Sequence, residues 1–204
     1  INLSLLINKK MKSGLHDIQS HFCLINLYDK IKIKKTNKKK DLISFKGKFS
    51  KKISYSNNSV KNILNILRKY KIINSFYSVS IYKKIPVSSG SGGGTSNAAF
   101  ILKYLTKPKI SKQIIEKIQH KIGSDMKLFS YKQGFLKNLK DVIHLKKKHK
   151  LIFLLVYPNL ECSTRDIYSK VNKYSKKQKF NKNILQNKKK YVNYIVDHKN
   201  DLQL

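Results

Sequence analysis

The nine residues Ser88 to Ser96, reading SSGSGGGTS, constrain this chain more than any other stretch. A Gly/Ser run can be a flexible linker, but the flanks here are patterned. Phe76, Val79, Ile81 and Ile85 mark a strand over residues 76–87. Ala98, Ala99, Phe100, Leu102 and Leu105 then mark a helix that runs to the breaker Pro108. Glycines at a strand-to-helix turn let consecutive backbone N–H groups converge on one anion, and the helix adds its positive end. Thr95 and Ser96 supply hydroxyls where a phosphate or its magnesium ion would lie. The pattern lacks the lysine of GxxxxGK[ST], and it is not GxGxxG with an acidic ribose ligand. It reads as a phosphate cradle of another kind.

Around that turn, residues 1–7 alternate as a strand and Lys12, Ser13 and Gly14 form a turn, so a hairpin is expected. Asp29 to Lys34, DKIKIK, alternates as an exposed strand. Residues 36–57 are lysine-rich and without a period. Val60, Ile63, Leu64, Ile66 and Leu67 fit one face of a helix ending near Tyr70, and a second helix is expected over residues 111–121. Gly123, Ser124 and Asp125 read as a turn. Leu151 to Tyr157 reads as a buried strand stopped by Pro158, followed by a helix capped by Ser163 or Thr164. Residues 170–190 read as exposed helix and loop.

The formal charge of +35, from 45 basic and 10 acidic residues, raises nucleic acid or an anionic membrane as partners. Only Arg68 and Arg165 are arginines, so 43 basic residues are lysines. A chain that reads base edges or clamps phosphates favours arginine, whose planar fork bonds bidentately. The charge therefore reads as solvated surface, and no specific nucleic-acid partner is expected. Cys23 and Cys162 are too few for a disulfide framework, which favours a reducing, cytoplasmic setting. His16, His21 and Cys23 cluster, but no fourth ligand stands at metal-site spacing, so no protein-held metal is expected. The longest apolar run, Leu151 to Val156, falls far short of the ~20 residues that span a bilayer, so no membrane partner is expected.

Four segments together resemble the GHMP kinase superfamily, in the branch acting on cytidine diphosphate-linked methylerythritol. PVSSGSGGGTSNAA resembles the family's second motif, Pro-x3-Gly-x-Gly-Gly-Gly-Ser-Ser-x-Ala-Ala. INLSLLINKKMKSGLHDIQSHF resembles its Asn-Leu-x-Leu opening and Asp-Gly-Tyr-His; Gly123 to Asp125 resembles the start of Gly-Ala-Asp-Val-Pro; YPNLECSTRDIY resembles Pro-x-x-x-x-Ser-Thr-x-x-x-Tyr. The resemblance implies an α+β GHMP kinase fold. Residues 1–148 would be an S5-like ATP-binding domain and residues 149–204 the beginning of a ferredoxin-like second domain. It implies ATP, with Mg2+, as phosphoryl donor and phosphorylation of the 2-hydroxyl of the cytidine-linked polyol in non-mevalonate isoprenoid synthesis.

By the same resemblance, Asp125 is the general base. The phosphates fall to Pro86, Val87, Ser88, Ser89, Gly90, Ser91, Gly92, Gly93, Gly94, Thr95 and Ser96. Asn2, His16, Thr164 and Tyr168 fall to the substrate, with His16 bonding the cytosine and Tyr168 stacking on it; Asn58 to Val60 and Lys83 fall near the adenine. The family's pattern has a catalytic lysine before the position of Ile1 and a third glycine-rich motif beyond Leu204, so the chain is expected to be a fragment. Leu15 stands where the family has a tyrosine against the cytosine, Ser91 where it has a leucine, and Lys127 where it has a proline. These departures leave room for a kinase of another small alcohol. A basic RNA-associated protein, stacking bases on its tyrosines, is the reading from another class.

Overall fold

The computed structural model describes residues 1–106, 110–145, 148–158, 160, 164–181, 183, 184, 187–198 and 200–203; Pro108 and Ser163, expected as helix breaker and cap, lie outside them. In chain order the elements are β1 (Leu6–Lys10), β2 (His16–Cys23), β3 (Lys30–Thr36), β4 (Leu42–Lys46), α1 (Ser59–Lys69), β5 (Phe76–Tyr82), α2 (Gly93–Leu105), α3 (Lys112–Ile122), a 3-10 helix (Ser124–Ser130), β6 (Gln133–Leu136), β7 (Val142–His144), α4 (Thr164–Ser169) and α5 (Lys188–Asp197). They divide into two compact units, Asn26–Ser130 and a discontinuous unit of Ile1–Ile25 with Tyr131–Leu204.

In the central unit β5 lies between β3, antiparallel to it, and β4, parallel to it. The lysines of DKIKIK face water while Ile31 and Ile33 turn inward, as the two-residue period predicts. The inner faces of β4 and β5 offer Phe45, Val79 and Ile81 to the helices. Helix α1 begins where Asn58 Oδ1 accepts from Lys61 N at 2.9 Å. It buries Val60, Ile63, Leu64 and Leu67, the expected face, against Ile101 of α2 and Ile118 of α3. Residues 36–57 carry β4, which the sequence did not announce, because its parallel partner β5 lies more than thirty residues on.

In the discontinuous unit the expected hairpin forms β1 and β2, with a register irregularity between Ile7 and Lys9. The sheet runs β1-β2-β6-β7, antiparallel throughout. Every residue of β2 is buried, polar ones included. The other edge of β1 is held by distant chain: Asp201 N donates to Leu5 O at 2.8 Å and Ile7 N to the Asp201 carboxylate at 2.7 Å.

One expectation fails here. Residues 151–157 form no strand, and Ile152, Leu154 and Val156 are exposed at 91%, 92% and 77%. A strand needs a ladder partner, and none pairs with this run among the described residues. Apolar character shows what would profit from burial, but does not supply the segment that buries it. Among the described residues no helix is long and apolar enough to cross a membrane.

Candidate functional site

Beyond β5 the backbone passes through Pro86 to Ser91 and turns at Gly92, which is left-handed at φ 65°. The single Ser89 hydroxyl proton is shared between Pro86 O and Ser91 Oγ, each 3.0 Å from Ser89 Oγ, so Ser91 braces the loop from within. Helix α2 starts at Gly93, several residues earlier than the apolar pattern indicates, and takes the glycines as its first turn. Its first internal bond runs from Ser96 N to Gly92 O at 2.8 Å, and no side chain caps this end. The amides of Gly93, Gly94 and Thr95 thus precede the helical ladder, at the positive end of the dipole. The space is tight behind them: a Cβ on Gly93 would stand 2.9 Å from Ile85 Cγ2 and 3.3 Å from Lys83 Nζ, and one on Gly94 3.2 Å from Ser59 Oγ. These are the properties a triphosphate requires, namely unspent N–H donors, hydroxyls at Thr95 and Ser96, and no side chains in the way.

Asp29 holds this loop from behind, and sequence reasoning missed it. One carboxylate oxygen accepts from Lys84 N at 2.7 Å and Ile85 N at 2.9 Å; the other accepts from Asn97 Nδ2 at 2.9 Å and from the Lys83 ammonium. The strand exit and the second turn of α2 are therefore tied to one buried anion. Burial pushes the Asp29 carboxyl up, but the bonds from Lys83, Ile85, Lys84 and Asn97 outweigh it and hold the pKa below its ordinary value. Lys83, expected near an adenine, is 4% exposed and engaged by Asp29. Asn58 is likewise engaged as the α1 cap, and Val60 lies in the core. The partners of Asp29 lie 54 to 68 residues away, which is why DKIKIK shows a strand and nothing more.

Asp125 lies on the 3-10 helix, where a turn was expected. That helix is fixed by Met126, buried in the core, and by Phe129, whose ring would come within 3.3 Å of a Cβ on Gly92. The element carrying Asp125 thus packs beside the start of α2. Asp125 is exposed as a residue, yet the protein around its carboxyl raises the pKa by desolvation, against the opposing Ser124 hydroxyl at 3.3 Å and Lys127. A carboxylate raised in this way suits a general base. Among the described residues no three His, Cys, Asp or Glu side chains gather to hold a metal ion.

The other predicted residues belong to the discontinuous unit. His16 opens β2 and is 8% exposed, and its Nε2 has no hydrogen-bond partner among the described residues. Its pKa is held below the ordinary 6.5 by burial and by Lys10, its cross-strand neighbour. The ring of Tyr168, on α4, lies 5.2 Å away, so the structure brings these two together. Thr164 is at the start of α4 and exposed. Asn2 is bridged to Phe22 and accepts from Ser20 Oγ at 3.2 Å. Tyr174, which the sequence did not single out, lies 6.4 Å from His16 with its ring inclined by 25°.

Residues 58–133 match the GHMP kinases N terminal domain. The chain is 39% identical over 183 residues to the 4-diphosphocytidyl-2-C-methyl-D-erythritol kinase of Pelagibacter ubique, covering 87% of this chain and 64% of that one. It is 33% identical over 212 aligned positions to the enzyme of that name from Ureaplasma parvum, covering all of this chain and 78% of the relative. Its backbone superposes on a crystal structure of 4-(cytidine 5'-diphospho)-2C-methyl-D-erythritol kinase with a TM-score of 0.56 at 18% identity, over 83% of this chain and 60% of that one. A mevalonate diphosphate decarboxylase from Legionella pneumophila gives 0.52 at 14% identity, over 81% and 61%. The two structures share the expected α+β fold. With a glycine-built helix start behind which Asp29 gathers strand and helix, and with relatives of this identity along its length, the chain belongs to the GHMP kinase family, alongside the 4-diphosphocytidyl-2-C-methyl-D-erythritol kinases.

Proposed function

We propose that this chain carries the nucleotide- and substrate-binding residues of an ATP-dependent kinase that phosphorylates the 2-hydroxyl of 4-diphosphocytidyl-2-C-methyl-D-erythritol. The observation that carries the reading is the uncapped start of α2, with three glycines in sequence and the helix of Asp125 packed beside it. ATP supplies the phosphoryl group, and residues 86–96 hold its phosphates through backbone N–H groups and hydroxyls. Mg2+ accompanies the nucleotide. Asp125 accepts the proton of the acceptor hydroxyl as its oxygen bonds to the terminal phosphorus and the bond to ADP breaks. His16 bonds the cytosine edge, Tyr168 stacks on the ring, and Asn2 and Thr164 contact the rest of the substrate. In this reading the family's first domain runs over residues 1–148 and its second begins at 149, and the enzyme works in the cytoplasm, which suits the free thiol of Cys23. The names of the relatives support the substrate; the raised pKa of Asp125 supports its role.

The test is phosphorylation of this substrate by the protein, followed as ADP release. Asp125→Asn lowers kcat by about 10²–10⁴-fold and leaves ATP affinity unchanged. Nucleotide binding with no turnover of this alcohol, but turnover of another, moves the substrate and keeps the chemistry. Full activity in Asp125→Asn removes the proposed base.

A further inference from the structure

We infer that Tyr174 is a specificity-determining residue, the second aromatic wall of the His16 corner, against which the nucleobase of the substrate packs. This rests on the cytidine-bearing substrate proposed above and adds a residue to its recognition. His16 is buried, yet its Nε2 has no partner among the described residues, and an orphaned polar atom of this kind is most simply explained by a group that arrives with a ligand. Among the described residues two rings stand by it. Tyr168 is tilted at 39° to the imidazole, whereas Tyr174 is nearly parallel to it.

The placement of Tyr174 is enforced by its neighbours in the chain. Ser175 N donates to Ile7 O at 2.8 Å, and Asn8 Nδ2 donates to Ser175 O at 3.1 Å, so the residue after Tyr174 is bonded to β1 through both its backbone polar groups. Lys177 pairs with the Asp17 carboxylate at 2.7 Å. Gln178 N donates to Gln19 Oε1 at 2.8 Å and Gln19 Nε2 donates back to Gln178 O at 2.9 Å. Residues 175–178 are thus fastened stepwise to the β1–β2 hairpin, whose second strand opens with His16. A second buried orphan atom, Asn8 Oδ1, belongs to the side chain that tethers Ser175. Tyr174 itself stays 45% exposed, whereas Tyr191 of the same unit is fully buried. An anchored, near-parallel and half-exposed ring beside an orphaned imidazole is what stacking on a planar base requires. Leu15, the residue preceding His16, offers no ring there and is 44% exposed. Tyr174 supplies from the far end of the sequence the surface that Leu15 does not.

The test is calorimetric titration of the protein with CDP, with base-free pyrophosphate and with ATP, in wild type and in Tyr174→Ala, Tyr174→Phe, Tyr174→Leu and His16→Ala. Tyr174→Ala and Tyr174→Leu should weaken CDP binding by about tenfold and Tyr174→Phe remain within about twofold, with pyrophosphate and ATP unchanged. If His16→Ala weakens CDP while Tyr174→Leu binds it as wild type does, Tyr174 has no part in recognition, and the proposed substrate stands. If the wild type binds ATP but not CDP, the cytidine reading falls and this inference with it. Should Tyr174→Ala lose ATP as well, it reports a folding defect, and the Leu and Phe variants decide.

Discussion

The phosphate cradle and the His16 corner are built by opposite means. In the cradle the donors are backbone amides, and the sequence contributes chiefly by leaving side chains out, so the site is written in consecutive letters from Pro86 to Ser96. In the corner the proposed binding groups are side chains, and His16, Tyr168 and Tyr174 come from opposite ends of the chain. In the first, a changed letter such as Ser91 leaves the backbone amides in place and takes up a hydrogen bond from Ser89 within the loop. In the second, a ring brought close to His16 from 158 residues along the chain, Tyr174, is there only because the tertiary structure holds it.

The largest effect is expected at the buried anion behind the cradle. Lys83→Ala leaves Asp29 buried without its ammonium partner and costs about 3–5 kcal/mol, read as a lower denaturant midpoint of the central unit; a loss under about 1 kcal/mol would show that the backbone bonds to Asp29 suffice. The next effect belongs to the discontinuous unit. His21 lies 3% exposed among Phe135, Phe180, Tyr191 and Tyr194, and its pKa is lowered from 6.5 to about 4 by burial and, less, by His198. Above pH 6.5 it is neutral whether folded or not. Between 6.5 and 4 only the unfolded chain takes the proton, so stability falls as pH falls through that window, by about 3 kcal/mol in all. Denaturant titrations at pH 7 and pH 4 should show this slope for the wild type and its loss in His21→Phe; an unchanged slope assigns the acid sensitivity elsewhere.

The smallest effect tests the cradle alone. Gly93→Ala places a methyl against Ile85 and Lys83 and costs about 1–3 kcal/mol, with ATP affinity falling and CDP affinity unmoved. Equal loss of both ligands would mean that the two sites are not separable in the way their construction implies.

How much could be read in advance follows the same division. The α1 face, the alternation of β3 and the glycine turn were legible, because helix and strand periods and turn chemistry act over a few residues. β4 was not, since its residues have no period of their own and are made a strand by β5. The run 151–157 shows the converse, an apolar stretch with strand character and no ladder partner among the described residues. Asp125 could be singled out only through a family pattern, while nothing local distinguished Asp29 or Tyr174.

By itself the sequence determined where an anion can be met by backbone, because glycine spacing, helix onset and the absence of side chains are local properties. Only the tertiary structure decided which charges pair and which rings meet. Those contacts join residues up to 173 positions apart, as His21 with Tyr194, Asp17 with Lys177 and His16 with Tyr174 show, and their energies depend on burial that no single stretch can specify.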